Sequence, residues 1–517
     1  LTGGTHNFTV NPKVISLSGS RLYDATTDAV ASDLTTISGL VGSETLNLSG
    51  TGSVTNANVA SNKTVTLGTL ALADNSGLAA NYTLSGGTHQ LTINQRPLAA
   101  TVARQYDGTK TAAGSDLSSF DALQGGETLT LSGSGTVGDE NVANGQGITL
   151  GTLALVDGTG LASNYSLNSA SLNITERVLN SSGSKTYDAN TNALAGAITL
   201  SNLVSGEALN HSGTATISSA NAGSYTITNL AGITIADGSG GTASNYTLTG
   251  GTHNFTVNRR VVGVSGTRLY DATTNAVASD LSTHTNLVGT ETLNLSGTGT
   301  IASKNVGSNK TVSVGTLALA DGSNGGLAAN YTLSGGTHQL TVNQRPLNAT
   351  LSRQYDGTTT SAGSDLSSFD ALQGGETLTL SGSGTSASAN VANGIAMSSN
   401  GNLALVDGTG LASNYSLNST VINITERVLN SSGSKIYDAN TDALAADITL
   451  SNLVSGEALN HSGTATISSA NAASYTITNL AGITLADNAG LASNYTLTGG
   501  THNCTVNPKG SRLSGSR

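Results

Sequence analysis

Apolar and polar residues alternate along short stretches of this chain. Leu46 and Leu48 flank Asn47, and the same spacing of two residues recurs farther along. The recurring pairs are Val65 with Leu67, Leu70 with Leu72, Tyr82 with Leu84, and Leu91 with Ile93. Since side chains two residues apart lie on one face of an extended strand, this period predicts half-buried β-strands. The phase slips by one residue at Gly68 and Thr69, which predicts a bulge or a strand that changes sheets.

Turn sequences separate the predicted strands. Examples are the segments at 49–52, 74–77 and 85–87, which are rich in Gly, Ser, Asn and Asp. Six or seven short strands in about 82 residues predict an all-β fold, a small two-sheet sandwich of immunoglobulin-like kind. A parallel β-helix is the alternative, but it would need a shorter period of about 20 residues, and none is present.

The pair Tyr-Asp occurs six times at nearly constant spacing. Successive pairs are 83, 81, 83, 85 and 82 residues apart, and an Asn-Tyr pair lies near the end of each unit. The Tyr-Asp pairs begin at Tyr23, Tyr106, Tyr187, Tyr270, Tyr355 and Tyr437. The Asn-Tyr pairs begin at Asn81, Asn164, Asn245, Asn330, Asn414 and Asn494. A fixed period of this length is the signature of a tandem repeat architecture.

A longer period groups the units in threes. Tyr23 and Tyr270 are 247 residues apart, and the segments 201–230 and 451–480 differ only at Gly223 and Ala473. The predicted organisation is 1–13 as the end of a preceding repeat, 14–97 as repeat 1, 98–178 as repeat 2, 179–260 as repeat 3, 261–346 as repeat 4, 347–428 as repeat 5, 429–509 as repeat 6, and 510–517 as the start of a following repeat. No Gly/Ser linker separates the units, so we expect a stiff, elongated rod of roughly 180 Å.

Composition excludes several classes of protein. Only 10 % of the residues are charged, and the net charge of −11 would repel a nucleic acid. The hydrophobic share of 37 % supports a core rather than disorder. No apolar run approaches the ~18 residues of a membrane span, so we expect no membrane insertion in this segment. The single cysteine, Cys504, permits no internal disulfide, and its role is open.

The unit carries a recognisable series of motifs. In the second unit these are Tyr106-Asp107-Gly108-Thr109, Leu123-Gln124-Gly125-Gly126-Glu127, Glu140-Asn141-Val142, Asn164-Tyr165-Ser166-Leu167 and Ile174-Thr175. The series resembles the YDG repeats of very large bacterial surface proteins, including filamentous-haemagglutinin-like adhesins, and is similar to related bacterial immunoglobulin-like repeats. The resemblance covers nearly the whole chain, although four units have Ala where Gly108 and Gly357 stand. It implies an extracellular, all-β stalk or fibre without catalytic residues.

All fourteen tyrosines are locked to the repeat register. Twelve belong to the Tyr-Asp and Asn-Tyr pairs, and Tyr225 and Tyr475 occupy equivalent positions. We expect each ring to be partly buried, with its hydroxyl bonded to a neighbouring loop. A platform for sugar rings is the alternative, which the absence of Trp disfavours.

Two series of aspartates are predicted to order turns. Asp24 and its five equivalents should accept backbone N–H bonds in an Asx turn. The second series opens Gly-rich turns and comprises Asp74, Asp157, Asp237, Asp321, Asp407 and Asp487. Weak Ca²⁺ binding is the alternative, but the alternating carboxylates of a calcium loop are missing.

The remaining chemistry-bearing residues predict no catalytic, cofactor-binding or metal site. One glutamate per unit could pair with an aspartate as in a glycosidase, but six copies without an aromatic cleft argue against catalysis. These glutamates are Glu44, Glu127, Glu207, Glu291, Glu376 and Glu457. Five histidines in Gly-Gly-Thr-His turns are too far apart to share a metal. They are His6, His89, His253, His338 and His502. The Asn-Tyr pairs also read as glycosylation sequons.

The function we expect is that of a non-enzymatic stiff spacer, secreted or on the bacterial cell surface, in an adhesin engaged in attachment or biofilm. One alternative is a self-assembling extracellular filament subunit built by strand exchange or lateral packing. A second alternative is a glycan- or protein-binding module. The expected partners are neighbouring repeats and other copies of the chain, with the host or matrix ligand unknown and no cofactor.

Overall fold

The computed structural model describes residues 3–511. Leu1, Thr2 and residues 512–517 lie outside this range, and with them most of the predicted start of a following repeat. The chain divides into two compact units, at residues 1–258 and 259–517, and each contains three of the predicted repeats. The described residues contain β-strands and single turns of 3-10 helix, with no α-helix and no helix long and apolar enough to cross a membrane.

The first unit contains strands β1 to β27. In repeat 1 they are Lys13–Val14 (β1), Ser16–Leu22 (β2), Asp28–Val30 (β3), Thr36–Ser38 (β4), Asn47–Ser49 (β5), Thr51–Ser53 (β6), Ala60–Thr64 (β7), Ala71–Ala73 (β8), Tyr82–Thr83 (β9) and His89–Asn94 (β10). In repeat 2 they are Arg96–Gln105 (β11), Thr111–Ala113 (β12), Leu117–Phe120 (β13), Leu129–Ser132 (β14), Ser134–Thr136 (β15), Ala143–Gly147 (β16), Ala154–Asp157 (β17) and Tyr165–Thr175 (β18). Arg177–Val178 (β19) lies at the end of predicted repeat 2 and leads into repeat 3. The strands of repeat 3 are Asn180–Thr186 (β20), Asn192–Leu194 (β21), Ile198–Ser201 (β22), Leu209–Ile217 (β23), Gly223–Asn229 (β24), Ile233–Asp237 (β25), Tyr246–Thr247 (β26) and His253–Asn258 (β27).

The second unit contains strands β28 to β54. In repeat 4 they are Arg260–Val261 (β28), Gly263–Leu269 (β29), Asn275–Val277 (β30), Thr283–Thr285 (β31), Leu293–Ser296 (β32), Thr298–Ile301 (β33), Gly307–Ser313 (β34), Ala318–Asp321 (β35), Tyr331–Thr332 (β36) and His338–Asn343 (β37). In repeat 5 they are Arg345–Gln354 (β38), Thr360–Ala362 (β39), Leu366–Phe369 (β40), Leu378–Ser381 (β41), Ser383–Ser386 (β42), Ala392–Ser399 (β43), Ala404–Asp407 (β44) and Tyr415–Thr425 (β45). Arg427–Val428 (β46) lies at the end of predicted repeat 5 and leads into repeat 6. The strands of repeat 6 are Asn430–Ile436 (β47), Asp442–Leu444 (β48), Ile448–Ser451 (β49), Asn460–Ile467 (β50), Ser474–Asn479 (β51), Ile483–Ala486 (β52), Tyr495–Thr496 (β53) and His502–Asn507 (β54).

Two turns of 3-10 helix occur in every repeat. One follows the third strand or its equivalent, and the other ends at the Asn of the Asn-Tyr pair. The first set is Ala31–Asp33, Gly114–Asp116, Ala195–Ala197, Ala278–Asp280, Gly363–Asp365 and Ala445–Asp447. The second set is Ala79–Asn81, Ala162–Asn164, Ala243–Asn245, Ala328–Asn330, Ala412–Asn414 and Ala492–Asn494.

The strands of each repeat form curled sheets, in the manner of half-barrels. In repeat 3 one sheet runs in the order β21-β23-β24-β27-β20-β22, with β25 also paired to β23. Repeat 6 has the same order, β48-β50-β51-β54-β47-β49. The last strand of each repeat lies beside its first long strand and parallel to it, as β10 lies beside β2 in repeat 1. The all-β prediction is therefore confirmed at the level of curled, repeated sheets.

The alternating pattern explains which side chains form the core. Along β10, Leu91 and Ile93 are buried while the intervening Thr92 is partly exposed.

The predicted one-residue shift of the apolar alternation at Gly68 lies where the chain changes the strand with which it pairs. Thr66 bridges to Ser53, whereas β8, after the turn, pairs with β5. One cluster of buried residues in the first unit includes Leu98 and Tyr165 together with the core of repeat 1, so the core continues from one repeat into the next.

Candidate functional site: the junction between consecutive repeats

The recurring tyrosines and glutamates meet where one repeat contacts the next. Between repeats 1 and 2, the hydroxyl of Tyr23 donates to Glu127 Oε1 at 2.5 Å. The hydroxyl of Tyr165 donates to Glu127 Oε2 at 2.7 Å. The two rings pack edge to face, with centroids 5.2 Å apart and planes at 76°. A single carboxylate of repeat 2 is thus held by one phenol from each repeat.

An asparagine next to this group binds the backbone of the preceding repeat. Asn164 Oδ1 accepts from the backbone N–H of Val59 at 2.9 Å, and its amide nitrogen donates to Asn58 Oδ1 at 3.1 Å. Only 1 % of Asn164 is exposed. Both ends of the buried amide are therefore satisfied, as burial of a polar group requires. We call Tyr23, Glu127, Tyr165 and Asn164, with their equivalents in other repeats, the junction group.

The turn after β2 places Tyr23. Asp24 Oδ1 accepts from the backbone N–H of Thr26 at 2.9 Å, and Arg21 forms an ion pair with the same carboxylate. Ala25 has φ of 65°, the left-handed region, and Gly108 at the equivalent position has φ of 74°. Ala and Gly units therefore form the same left-handed turn, although an L-residue is disfavoured there.

The second aspartate series places the Asn-Tyr pair. Asp157 Oδ1 accepts from the backbone N–H of Ala162 at 2.7 Å, at the start of the 3-10 turn that ends with Asn164. Equivalent bonds hold the turns in the other repeats at 2.6 to 2.8 Å. These carboxylates cap turns, as predicted, and through the turn they orient the Asn and Tyr of the junction group.

Three further junctions have the same geometry. Tyr106 and Tyr246 donate to Glu207, both at 2.7 Å. Tyr270 and Tyr415 donate to Glu376 at 2.6 and 2.9 Å. Tyr355 and Tyr495 donate to Glu457, both at 2.6 Å. Their asparagines, Asn245, Asn414 and Asn494, each accept a backbone N–H at 2.9 Å and are 1 % exposed.

Burial and the adjacent carboxylate change the acidity of the tyrosines. Burial, followed by the hydrogen bond to Glu127, raises the pKa of Tyr165 to about 12 and also raises the pKa of Tyr23. Burial likewise raises the pKa of Tyr415 to about 12. The phenols therefore remain protonated hydrogen-bond donors throughout the neutral range.

One junction contains an additional cation. Lys304 Nζ donates to Glu376 Oε1 at 2.7 Å and lies 5.9 Å from the centroid of the Tyr270 ring. Burial opposes ionisation of Glu376, but hydrogen bonds from Lys304, Tyr270 and Tyr415 outweigh it and lower the pKa of this carboxyl. The hydrogen bond to Glu376 also raises the pKa of Lys304. The residue at the equivalent position in repeat 1 is Ala57.

The structure refines several predictions about these residues. The Asx turns at the Tyr-Asp pairs are confirmed, as is the burial of the junction tyrosines. Glu127 contacts two phenols rather than a partner aspartate, so the carboxylate pair considered for a glycosidase is not formed there. His89 is buried and bonds Leu84 O and the Leu17 N–H through its two ring nitrogens. The buried amides of Asn164 and its three equivalents leave no room for a glycan.

Sequence reasoning missed the partnership of Glu and Asn across repeats. The sequence did contain a signal for this contact, because both residues recur in register with the tyrosines.

Among residues 3–511 no group of three or more His, Cys, Asp or Glu side chains is placed to hold a metal ion. The chemistry of the site is hydrogen bonding and packing between repeats.

Comparison with known proteins identifies the repeat. The YDG domain matches at residues 7–91, 88–172, 172–253, 256–340, 338–422 and 425–502. A search of curated proteins gave no significant match. Among solved structures, the chain is similar to one titled "The Bacillus anthracis TIE protein", with 7 % identity over 75 % of this chain and 76 % of that chain and a TM-score of 0.15, a likeness too low to support any argument. Because the domain recurs across nearly the whole sequence, the chain belongs to the YDG domain family and carries six tandem copies of the repeat.

Proposed function

We propose that the chain is an extracellular repeat region, a stalk or fibre, of a large bacterial surface adhesin. Its repeats would form an elongated array of immunoglobulin-like sandwiches that acts as a stiff spacer in attachment or biofilm. In this proposal the chain has no enzymatic activity, and its partners are its own repeats and a surface ligand bound elsewhere.

The use of the repeat's most distinctive polar side chains supports this proposal. In both halves of the chain the Tyr, Glu and Asn that recur in every unit are engaged in joining one repeat to the next. A recognition or catalytic module would instead be expected to present such groups to solvent. These side chains hold four equivalent junctions together. This use favours a role that depends on the number of repeats in the array rather than on one particular surface.

A graded deletion series tests the spacer role. Removing Asp24–Tyr270 or Asp24–Tyr106 joins Tyr23 to Asp271 or Asp107 and preserves the repeat register. Stability in such arrays is nearly additive, so the remaining repeats should stay folded. Small-angle scattering should then give a maximum dimension shortened by about half for the larger deletion and about one sixth for the smaller, if each repeat contributes equally.

Glu127→Ala provides a matched control of unchanged length. It should make the array more flexible by removing the acceptor of two phenols while the contour length stays the same. A maximum dimension that does not follow repeat number would contradict the spacer role. Hydrolytic turnover that is abolished by one substitution would contradict the non-enzymatic assignment.

A further inference from the structure

A histidine recurs in four of the six repeats, at the first residue pair of the ladder that joins the last strand to the first long strand. These histidines are His89, His253, His338 and His502. Each ring bonds through Nε2 to the backbone oxygen of the leucine five positions earlier, at 2.8 Å. Because a carbonyl oxygen only accepts, Nε2 carries a proton. The partner of Nδ1 therefore decides whether the ring can take up a second proton without losing a bond.

In repeats 1 and 4 the partner of Nδ1 is a backbone N–H group of the first long strand. His89 Nδ1 accepts from the backbone N–H of Leu17 in β2 at 3.2 Å. His338 Nδ1 accepts from the backbone N–H of Val264 in β29 at 3.3 Å. A backbone N–H only donates, so a proton on Nδ1 would remove this bond and set two N–H groups against each other. Both histidines are buried, so water does not readily replace the lost partner.

Repeats 3 and 6 place a hydroxyl group beside the same ring nitrogen. His253 Nδ1 lies 2.9 Å from Ser181 Oγ, and the equivalent distance from His502 Nδ1 to Ser431 Oγ is 2.8 Å. The backbone N–H groups of the two serines donate to carbonyl oxygens instead, both at 3.0 Å. A hydroxyl can donate or accept, so it keeps its bond when Nδ1 becomes protonated. The equivalent residues of repeats 2 and 5 are Ala170 and Thr420.

Repeat 4 has a second histidine on the other side of the same strand. His284 in β31 is paired with Val264, which is paired with His338 on its opposite side. Its Nε2 is buried without a hydrogen-bond partner, and burial lowers the pKa of the His284 side chain. The other repeats have an apolar residue here, namely Ile37, Phe120, Leu200, Phe369 and Leu450. A protonated His284 would therefore place a charge where the fold accommodates an apolar side chain.

The charged side chains on the strands beside these histidines have partners of their own. In repeat 4, Arg268 of β29 forms ion pairs with Asp271 and Asp280. Lys310 of β34 donates to Ser303 O at 3.1 Å. The equivalent groups of repeat 1 are Arg21 with Asp24 and Asp33, and Lys63 with Asn56 O. Burial raises the pKa of Asp280, so the variants proposed below leave Asp280 unchanged.

Repeats 3 and 6 have a different set of titratable neighbours. The ion pairs are Lys185 with Asp188 and Lys435 with Asp438, the tyrosines on the adjoining β24 and β51 are Tyr225 and Tyr475, and Asp447 lies in the 3-10 turn beside β47. These two repeats also carry His211 and His461, on β23 and β50. Repeats 2 and 5 contain no histidine and are therefore the reference for any effect of histidine protonation.

We propose that repeats 1 and 4 contain a histidine switch, in which protonation of Nδ1 breaks the bond to the first long strand and loosens its ladder with the last strand. Repeat 4 responds more strongly than repeat 1, because it contains both His338 and His284. A histidine in an unfolded chain takes up a proton near pH 6.5, so the stability of these repeats is fully present above about that pH and is lost as the pH falls. Mild acid thus loosens two repeats while repeats 2 and 5 stay closed.

Hydrogen exchange of the full chain, followed from neutral pH to about pH 5, tests the switch. Protection is the exchange rate of an unstructured peptide divided by the measured rate at the same pH. Below about pH 6.5 we expect protection in β2 and β10 to fall by up to about tenfold per pH unit, the limit for one histidine that is not protonated while folded. The fall should be steeper in β29 and β37. Repeats 2 and 5 should keep their protection, and the ladders of repeats 3 and 6 should lose less than that of repeat 1.

Three variants of repeat 4 separate the two histidines. Val264→Ser supplies the hydroxyl that Ser181 supplies in repeat 3, so it should reduce the acid loss although His338 is retained. His284→Ile introduces the residue of repeat 1 and should make the acid loss of repeat 4 no steeper than that of repeat 1. His338→Gln combined with His284→Ile should abolish the loss. Each variant is compared with its own protection at neutral pH, and His284→Ile remains decisive if the buried Val264→Ser change prevents folding.

Three results would overturn the proposal. They are protection that stays constant in every repeat, an acid loss in repeats 2 and 5 equal to that in repeats 1 and 4, and an acid loss in repeat 4 that survives the removal of both histidines. The last result would assign the acid response to Asp280. The inference is independent of the spacer role, which the deletion series tests at neutral pH, since repeats that are insensitive to acid could still act as a spacer.

Discussion

Two junctions built from the same motif bind their glutamate carboxylate through different sets of hydrogen-bond donors. Glu127, between repeats 1 and 2, accepts from two phenols, whereas Glu376, between repeats 4 and 5, accepts from two phenols and from the ammonium of Lys304. Lys304 is 43 % exposed and the Glu376 side chain 8 % exposed, so the added charge lies at the rim. The two junctions thus share the pair of phenol donors and differ in the ammonium group that also binds Glu376.

We expect the largest loss of stability from removing the tyrosine ring of the Asn-Tyr pair, which is present at the equivalent position in both junctions. Tyr165→Ala and Tyr415→Ala each delete a buried aromatic side chain, an edge-to-face contact and a hydrogen bond. Each should destabilise its junction by about 3–5 kcal/mol. Hydrogen exchange should detect this at the amides of Gln124 and Gln373, which donate to the two phenolic oxygens at 3.0 and 3.1 Å. Unequal losses in the two junctions would indicate that Lys304 compensates even for the ring.

Removing one phenolic hydroxyl should distinguish the junctions. Tyr23→Phe leaves Glu127 Oε1 without its phenol donor, at a cost of about 1 kcal/mol, the low end for an unsatisfied acceptor, because Glu127 is partly buried. Tyr270→Phe should cost less, because Lys304 still donates to Glu376 Oε1. Denaturant unfolding monitored by hydrogen exchange at Val59 and Val306 measures the stability loss caused by each substitution, since the backbone amides of these two residues donate to the junction asparagines. Equal costs would contradict a contribution from Lys304.

Acid should probe the charged junction selectively. The pKa of Glu376 is lowered in the folded chain, so its contribution to stability is fully present above the ordinary carboxyl pKa of 4.5. It is lost as the pH falls through the lowered value, where the folded carboxylate is also protonated. We expect Lys304→Ala to move the acid loss of protection at Gln373 to higher pH. Gln124 serves as the internal control, and an unchanged acid profile at Gln373 would refute the assignment.

The smallest effect should come from transferring the cation. Ala57→Lys places an ammonium in repeat 1 at the position that Lys304 occupies in repeat 4. It should give a modest gain in protection at Gln124 that fades as salt is added, because the pair is partly exposed. Ala57→Gln controls for side-chain length. A gain that persists in high salt would indicate packing rather than charge.

Local chemistry was readable from the sequence, and long-range chemistry was not. The alternation of Leu91 and Ile93 predicted a strand, and Asp24 followed by Ala and Thr predicted an Asx turn, because in both cases the partners lie within a few residues. Glu127 binds Tyr23 across 104 positions, and its recurrence in register with the tyrosines does not by itself show which residue of which repeat it contacts. Lys304 occurs at this position in a single unit, so the sequence alone does not distinguish it from an ordinary substitution on the surface of one repeat.

The parallel pairing of first and last strands sets how a repeat responds to force. In repeat 1, six successive residue pairs, from Leu17 with His89 to Leu22 with Asn94, align β2 and β10 in the same direction. Tension applied through the chain pulls the start of β2 and the end of β10 in opposite directions along their common axis. The hydrogen bonds of this ladder are then loaded together in shear instead of opening one by one. Repeats 3, 4 and 6 have the same six-pair ladder, so each is built to resist extension along the chain.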